Sequence, residues 1–148
     1  MKILSLDLGD RWVGSAISDP MGITCKPFQT VELGMLESFL AHIIPQERID
    51  TVIVGYPKTF SGGQSEQTLK IAKLKEALEL KFGTIDDRPI TWMLWDERLS
   101  SKRAAELHRG AQSPEEKKKG HSIAAAFILQ SYLDNQAFMR PDPETEIN

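Results

Sequence analysis

The apolar run Ile3 to Leu8 stops on Asp7-Leu8-Gly9-Asp10, and a second short run starts at Trp12. No other feature of the chain constrains its fold as tightly. Glycine and aspartate are turn formers, and Gly9 reaches positive φ without steric cost. The two runs therefore read as a hairpin around Gly9–Arg11. Lys26 to Val31 is a weaker third strand, which Pro27 confines to an edge or a strand start. The period then changes. Leu36, Phe39, Leu40, Ile43 and Ile44 follow helical spacing, which predicts a helix over about 33–47. Thr51 to Val54 is β-branched and does not alternate, as in a strand buried on both faces.

Tyr56 to Ser65, with Pro57, Gly62 and Gly63, reads as a loop, and a helix follows to about Phe82. Ile90 to Trp95 is the next strand. After Asp96-Glu97-Arg98-Leu99, Ser100 or Ser101 can cap a short helix. Ala111 to Gly120 reads as a polar, mobile stretch. Ile123 to Leu133 is a final helix, apolar nearly all round and hence buried.

The element order is β-β-β-α-β-α-β-α-α. It predicts an α/β fold with a mixed five-stranded sheet, antiparallel through its first three strands and then built from parallel βαβ units, with helices on both faces. A chain of 148 residues suits one such domain, expected over 1–134, with 135–148 a polar, frayed tail. The net charge of -3 resides in the segment Asp134 to Asn148, which carries Asp134, Asp142, Glu144 and Glu146 against Arg140. No apolar run nears the roughly 18 residues of a membrane span, and the N-terminus is unlike a signal peptide. No membrane association is expected, and the cytoplasm is the expected compartment. Cys25 is the single cysteine, which excludes an internal disulfide and a thiolate zinc cage.

The neutral body has a basic stretch between Arg98 and His121. Arg98, Lys102, Arg103, Arg109, Lys117, Lys118 and Lys119 there outnumber Glu106, Glu115 and Glu116. Such an excess can track a phosphate backbone, or it can be the solvated side of a helix–loop–helix. Lys58, after Gly55-Tyr56-Pro57, can touch a phosphate or be an ordinary loop lysine. Arg98 can meet substrate or pair with Asp96. Trp12, Trp92 and Trp95 read mainly as core, with Trp12 nearest the surface. His42 and His108 read as surface residues, and Cys25 as a packed thiol.

Ligand sites on open α/β sheets lie beyond the carboxyl ends of parallel strands. Asp7, Gly55 and Glu97 end or follow three strands, so neighbouring strands would bring them to one rim. Two carboxylates there make a hard oxygen site for Mg²⁺ or Mn²⁺, and such ions can clamp the reacting oxygens of a phosphodiester. Asp7 and Glu97 are the candidate ligands. The competing readings are a turn-capping aspartate and a surface glutamate.

Several blocks occur in an order that resembles the YqgF family. They are Asp7-Leu8-Gly9, Gly14 with Ser18-Asp19, Gly55-Tyr56-Pro57, Gly62, Asp96-Glu97-Arg98-Leu99-Ser100-Ser101 with Ala104, Ala124-Ala125, and Ile128 to Leu133. That family comprises Holliday-junction resolvases related to RuvC, also described as pre-16S ribosomal RNA nucleases. The resemblance covers residues 1 to about 134. It implies a ribonuclease H-like fold and divalent-metal hydrolysis of nucleic-acid phosphodiesters. The expected substrate is the 5′ end of pre-16S rRNA or a branched DNA, with the ribosome as a further expected partner. A monomer and a homodimer both fit.

The family's acidic ligands fall on Asp7, Glu97 and the head of the last helix, where this chain has Gly120-His121 instead of Val-Asp. The family's hairpin arginine falls on Trp12, with Arg11 one position earlier, and Ser61 stands where Asp is usual before the loop glycine. Neutral imidazole binds Mn²⁺ better than Mg²⁺, so His121 as third ligand implies a preference for Mn²⁺. His121 can instead serve near the attacking water or leaving group. If the third ligand is lost, the chain is a nucleic-acid-binding module without catalysis; if His121 is a bystander, Asp10 or Asp96 is the next third group. An actin or sugar-kinase type ATPase needs two such domains, which this length does not supply.

Overall fold

The computed structural model describes residues 2–56, 66–96 and 114–139 of the chain. Strands β1 (Lys2–Leu8), β2 (Trp12–Ser18) and β3 (Cys25–Glu32) come first. A 3₁₀ turn, Leu33–Met35, leads into α1 (Leu36–Gln46), followed by β4 (Ile49–Tyr56) and α2 (Glu66–Lys81). A small hairpin, β5 (Thr84–Ile85) with β6 (Arg88–Pro89), precedes β7 (Thr91–Asp96) and the long helix α3 (Pro114–Met139). The main sheet has five strands in the order β3-β2-β1-β4-β7. β1, β2 and β3 pair antiparallel, and β1, β4 and β7 pair parallel. This is the mixed α/β sheet expected from the element order.

The alternation of β1 assigns its two faces. Leu4, Leu6 and Leu8 enter one core with Val13, Ile17, Val52 and Val54, which is covered by α1 and α2 through Leu36, Leu40, Ile44, Ile71 and Leu78. Ile3 enters a second core with Ala16, Ile53, Ala125, Ile128 and Leu129, which is covered by α3. Successive strand residues point to opposite faces, so Ser5 and Asp7 share the α3 side with Ile3. Ser5 shows it directly, since its hydroxyl donates to the Ala125 carbonyl at 2.6 Å.

The structure differs from the sequence reading in three places. The stretch Ala111 to Gly120, read as polar and mobile, is helical from Pro114 onward. Proline suits the first helical position because its missing N–H would have no partner there. The helix also runs on to Met139, past the expected end at Leu133. The β5–β6 hairpin was not anticipated. Its turn is Asp86-Asp87, both at positive φ (52° and 63°), which matches a two-residue type I′ connection without the usual glycine.

Candidate active site

Parallel pairing of β1, β4 and β7 puts their carboxyl ends, Leu8, Tyr56 and Asp96, on one rim. Asp7 lies one residue inside that rim on the α3 face. In the ladder it stands opposite Gly14 of β2. Gly14 is what lets α3 arrive. A Cβ there would sit 2.0 Å from the backbone carbon of His121, 2.1 Å from its oxygen and 2.5 Å from the amide nitrogen of Ser122. A glycine inside a strand often marks such a close backbone approach. Gly9 does the same in the turn, where a Cβ would meet the Trp12 carbonyl at 2.6 Å and His121 Cε1 at 3.0 Å. The hairpin is thus trimmed twice, once for the helix backbone and once for the imidazole.

The consequence is one contact across 114 positions of sequence. His121 Nδ1 lies 3.1 Å from Asp7 Oδ2. Asp7 is 19% and His121 32% exposed, so both can be reached from solvent. The Asp7 carboxylate holds the imidazolium above its ordinary pKa by hydrogen bonding and charge, against a smaller opposing effect of burial. Ser122, next on α3, is buried and donates its hydroxyl to the Lys119 carbonyl at 2.9 Å, which tightens the turn that carries His121.

Two of the three expected ligands therefore meet. Glu97 lies outside the described residues, directly after Asp96, the last residue of β7. Among the described residues no cluster of three or more metal-ligating side chains forms. Asp10 is exposed in the hairpin turn, and Asp96 stands opposite Tyr56 in the ladder. Of the expected nucleic-acid contacts, Lys58, Arg98, Lys102 and Arg103 lie outside the described residues. Lys117 and Lys118 lie in the first turns of α3 with side chains outside the description, and Lys119 is exposed.

The other singled-out residues have plain roles. Trp92 is buried and donates to the Phe82 carbonyl at 3.0 Å. Trp95 reaches Ser131 Oγ at 3.3 Å and meets Tyr132 edge-on. Trp12 is half-buried with the Arg11 guanidinium over its ring, 5.2 Å from the centroid. His42 is exposed, and Cys25 is a half-buried thiol. Sequence reasoning named Gly14 only as part of a motif. The signal for its role was a glycine between Val13 and Ser15 in an otherwise regular strand.

The mixed sheet with helices on both faces is a ribonuclease H-like fold. RuvC from T. thermophilus, solved with a Holliday junction substrate, superimposes with a TM-score of 0.55 at 13% identity over 93% of this chain and 96% of that one. The resolvase of Fowlpox virus, solved with substrate Holliday junction DNA, gives 0.54 at 14% identity over 95% and 100%. A family model described as RuvX, Holliday junction resolvase, matches residues 1–135. The chain belongs to this RuvX (YqgF) family. It is similar to a Desulforamulus reducens protein named "Putative pre-16S rRNA nuclease", with 36% identity over 150 residues that span 93% of this chain and 99% of that one. A Lachnospira eligens protein of the same name is 33% identical over 144 residues, 92% and 99% of the two chains. No helix among the described residues is long and apolar enough to cross a membrane.

Proposed function

We propose that this chain is a divalent-metal-dependent nuclease that cleaves structured nucleic acid, with the 5′ end of pre-16S rRNA, presented on the assembling ribosome, as its substrate. The observation that carries the reading is the 3.1 Å approach of His121 Nδ1 to Asp7 Oδ2, both half-buried, at the carboxyl rim of the sheet. Adjacent ligands in an octahedron with bonds of about 2.1 Å stand about 3 Å apart. The pair therefore fits neighbouring positions around one Mn²⁺ or Mg²⁺, and its one imidazole favours Mn²⁺. Asp7, His121 and Glu97 would hold the ion, with Glu97 assigned from its place after β7.

When bound, the ion would supply electrophilic stabilisation of charge on the phosphate and a more acidic water. The protein's own part is positional. β1 and α3 fix Asp7 and His121 in mutual register, and Gly9 leaves the space that the His121 ring occupies beside the turn. Lys58, Arg98, Lys102, Arg103, Lys117, Lys118 and Lys119 would carry the flanking backbone.

The test is cleavage of a precursor 16S rRNA fragment and of a four-way DNA junction, each with Mg²⁺, Mn²⁺ or chelator. Metal-dependent cleavage of the RNA, faster with Mn²⁺ and abolished in Asp7→Asn and Glu97→Gln, is the expected result. His121→Asp is expected to shift the preference toward Mg²⁺. Near-wild-type cleavage by Asp7→Asn would overturn the site. The description of the matching family model favours a second reading, a resolvase of branched DNA, which preferential junction cleavage would select. Nucleic-acid binding with no cleavage under any metal would leave a non-catalytic module.

A further inference from the structure

A cavity of about 250 Å³ opens beside the hairpin turn, on the opposite face of the sheet from His121. Its floor is Leu8, Leu33, Ile71 and Leu74, the margin of the core under α2. Its polar rim is Asp10 in the turn with Gln67 and Lys70 on the first turns of α2. Leu8, Gly9 and Asp10 follow Asp7 directly, so the turn is a saddle with the Asp7–His121 pair on one side and this cavity on the other.

We propose that the cavity is a base-reading subsite that takes one unstacked guanine of the nucleic-acid strand whose phosphate lies over Asp7. This rests on the nucleic-acid reading above. The aliphatic floor suits the flat face of a base, and the volume accommodates a purine. The rim divides the remaining work. Lys70 is exposed and makes no ion pair among the described residues, so its ammonium is free for a flanking phosphate, whereas Lys75 and Lys81 are engaged by Glu79 and Glu37. Asp10 would repel a phosphate and only accepts hydrogen bonds. It therefore matches a base edge with adjacent donors, and guanine N1–H and N2–H₂ are such a pair. Single-stranded bases are read in this manner, splayed out and bonded on their Watson–Crick edges. A strand crossing the saddle would place consecutive nucleotides on the two sides of the hairpin.

The experiment is binding by the full chain in chelator, followed by backbone amide NMR. The probes are GMP, dGMP, AMP, CMP, UMP and the trinucleotides ApGpA and ApUpA. GMP and ApGpA are expected to shift the amides of Leu33, Ile71 and Leu74, with ApGpA the tighter because its guanosine carries a phosphate on each side, so that one can reach Lys70 while the other continues over the turn, where GMP has a single phosphate. Asp10→Asn is expected to weaken ApGpA about tenfold, the size of one well-formed base contact, and to leave ApUpA unchanged. Lys70→Ala is expected to weaken both trinucleotides alike. Equal binding of all bases, shifts remote from the cavity, no shift with any probe, or GMP binding tighter than ApGpA would each overturn the proposal, the last marking a free-nucleotide site. A difference between GMP and dGMP reports whether RNA or DNA is the source. No metal or cleavage enters this measurement. Guanine binding here with no cleavage elsewhere fails the nuclease reading alone, and cleavage with an unresponsive cavity fails this proposal alone.

Discussion

The two faces of the sheet are built on opposite plans. Beneath α1 and α2 the strands present Leu4, Leu6, Leu8, Val13, Ile17, Val52 and Val54, large side chains that hold the helices off by their own bulk. Beneath α3 the large residues Ile3 and Ile53 flank a seam along β1 and β2 where Ser5, Gly14 and Ala16 are answered by Ala125 and Ser122 on the helix. Small residues bring backbone against backbone. The first face gains its stability from buried apolar area, at roughly 25 cal/mol per Å². The second gives up part of that gain and obtains position, because a helix seated directly on β2 delivers His121 to Asp7. Stability and site geometry should therefore respond separately to substitutions on the two faces.

The largest stability loss is expected from the apolar face. Leu40 of α1 is fully buried, and Leu40→Ala leaves a cavity that costs about 2–5 kcal/mol. The His121 ring, followed by NMR in the metal-free protein, should keep its chemical shifts. Denaturant unfolding measures the first part, and a shifted His121 signal would show that the faces are not independent.

Gly14→Ala should give the reverse pattern. Its Cβ meets backbone at 2.0 Å rather than the tip of a flexible side chain, so α3 itself must move. Overpacking of this kind costs about 1–3 kcal/mol, and this variant belongs at the upper end. The site should be lost with it, through separation of His121 from Asp7 and loss of Mn²⁺ binding by calorimetry. A variant that binds Mn²⁺ like wild type would show that the close approach is not what builds the site.

This division explains what could be read from the sequence. The faces of β1 followed from alternation, and Asp7 was found because a carboxylate ends an apolar run at a glycine turn. The five strands were found for the same reason, since their apolar content is local. The start of α3 was missed because Lys117, Lys118, Lys119 and Gly120 resemble a loop when only hydrophobic period is counted. The partner of Asp7 could not be reached by local pattern at all. His121 entered through its place in the family motif, and only the three-dimensional contact shows that Gly14 admits it. The Asp86-Asp87 turn was missed because aspartate at positive φ has no compulsory signature in sequence.

Smaller changes sharpen the account of the α3 face. Ser5 is fully buried and donates to the Ala125 carbonyl. Ser5→Ala removes that hydroxyl and leaves a carbonyl that lies within α3, where a backbone amide can still serve it, so the loss should be about 1 kcal/mol. Thermal unfolding tests this. Ser5→Val, nearer the residues of the other face, should cost more than Ser5→Ala, because added bulk would lift the helix. If Ser5→Val is the more stable of the two, the seam tolerates bulk and small residues are not its requirement.

The smallest effect is a rate, and it reads the same seam at its far end. Cys25, first residue of β3, points its thiol at α3, donating to the Ala126 carbonyl at 3.3 Å and to Gln130 Oε1 at 3.6 Å. Burial, aided by the carboxylates of Asp134 and Asp19, pushes the thiol pKa up to about 11. Only the thiolate reacts with disulfide reagents. At pH 8 a free thiol of pKa about 8.5 is roughly one quarter ionised, whereas one at about 11 is ionised to about one part in a thousand. Labelling of the native protein should then run at least a hundredfold slower than that of the unfolded chain. The linkage has a definite sign. The folded state keeps this proton longer than the unfolded one, so the contribution is complete below about pH 8.5 and declines as pH rises toward 11. Gly14→Ala, which lifts α3, should accelerate labelling at pH 8, while Leu40→Ala should leave it near the wild-type rate under native conditions. Equal acceleration by both variants would mean that Cys25 is exposed by general loosening rather than by movement of α3.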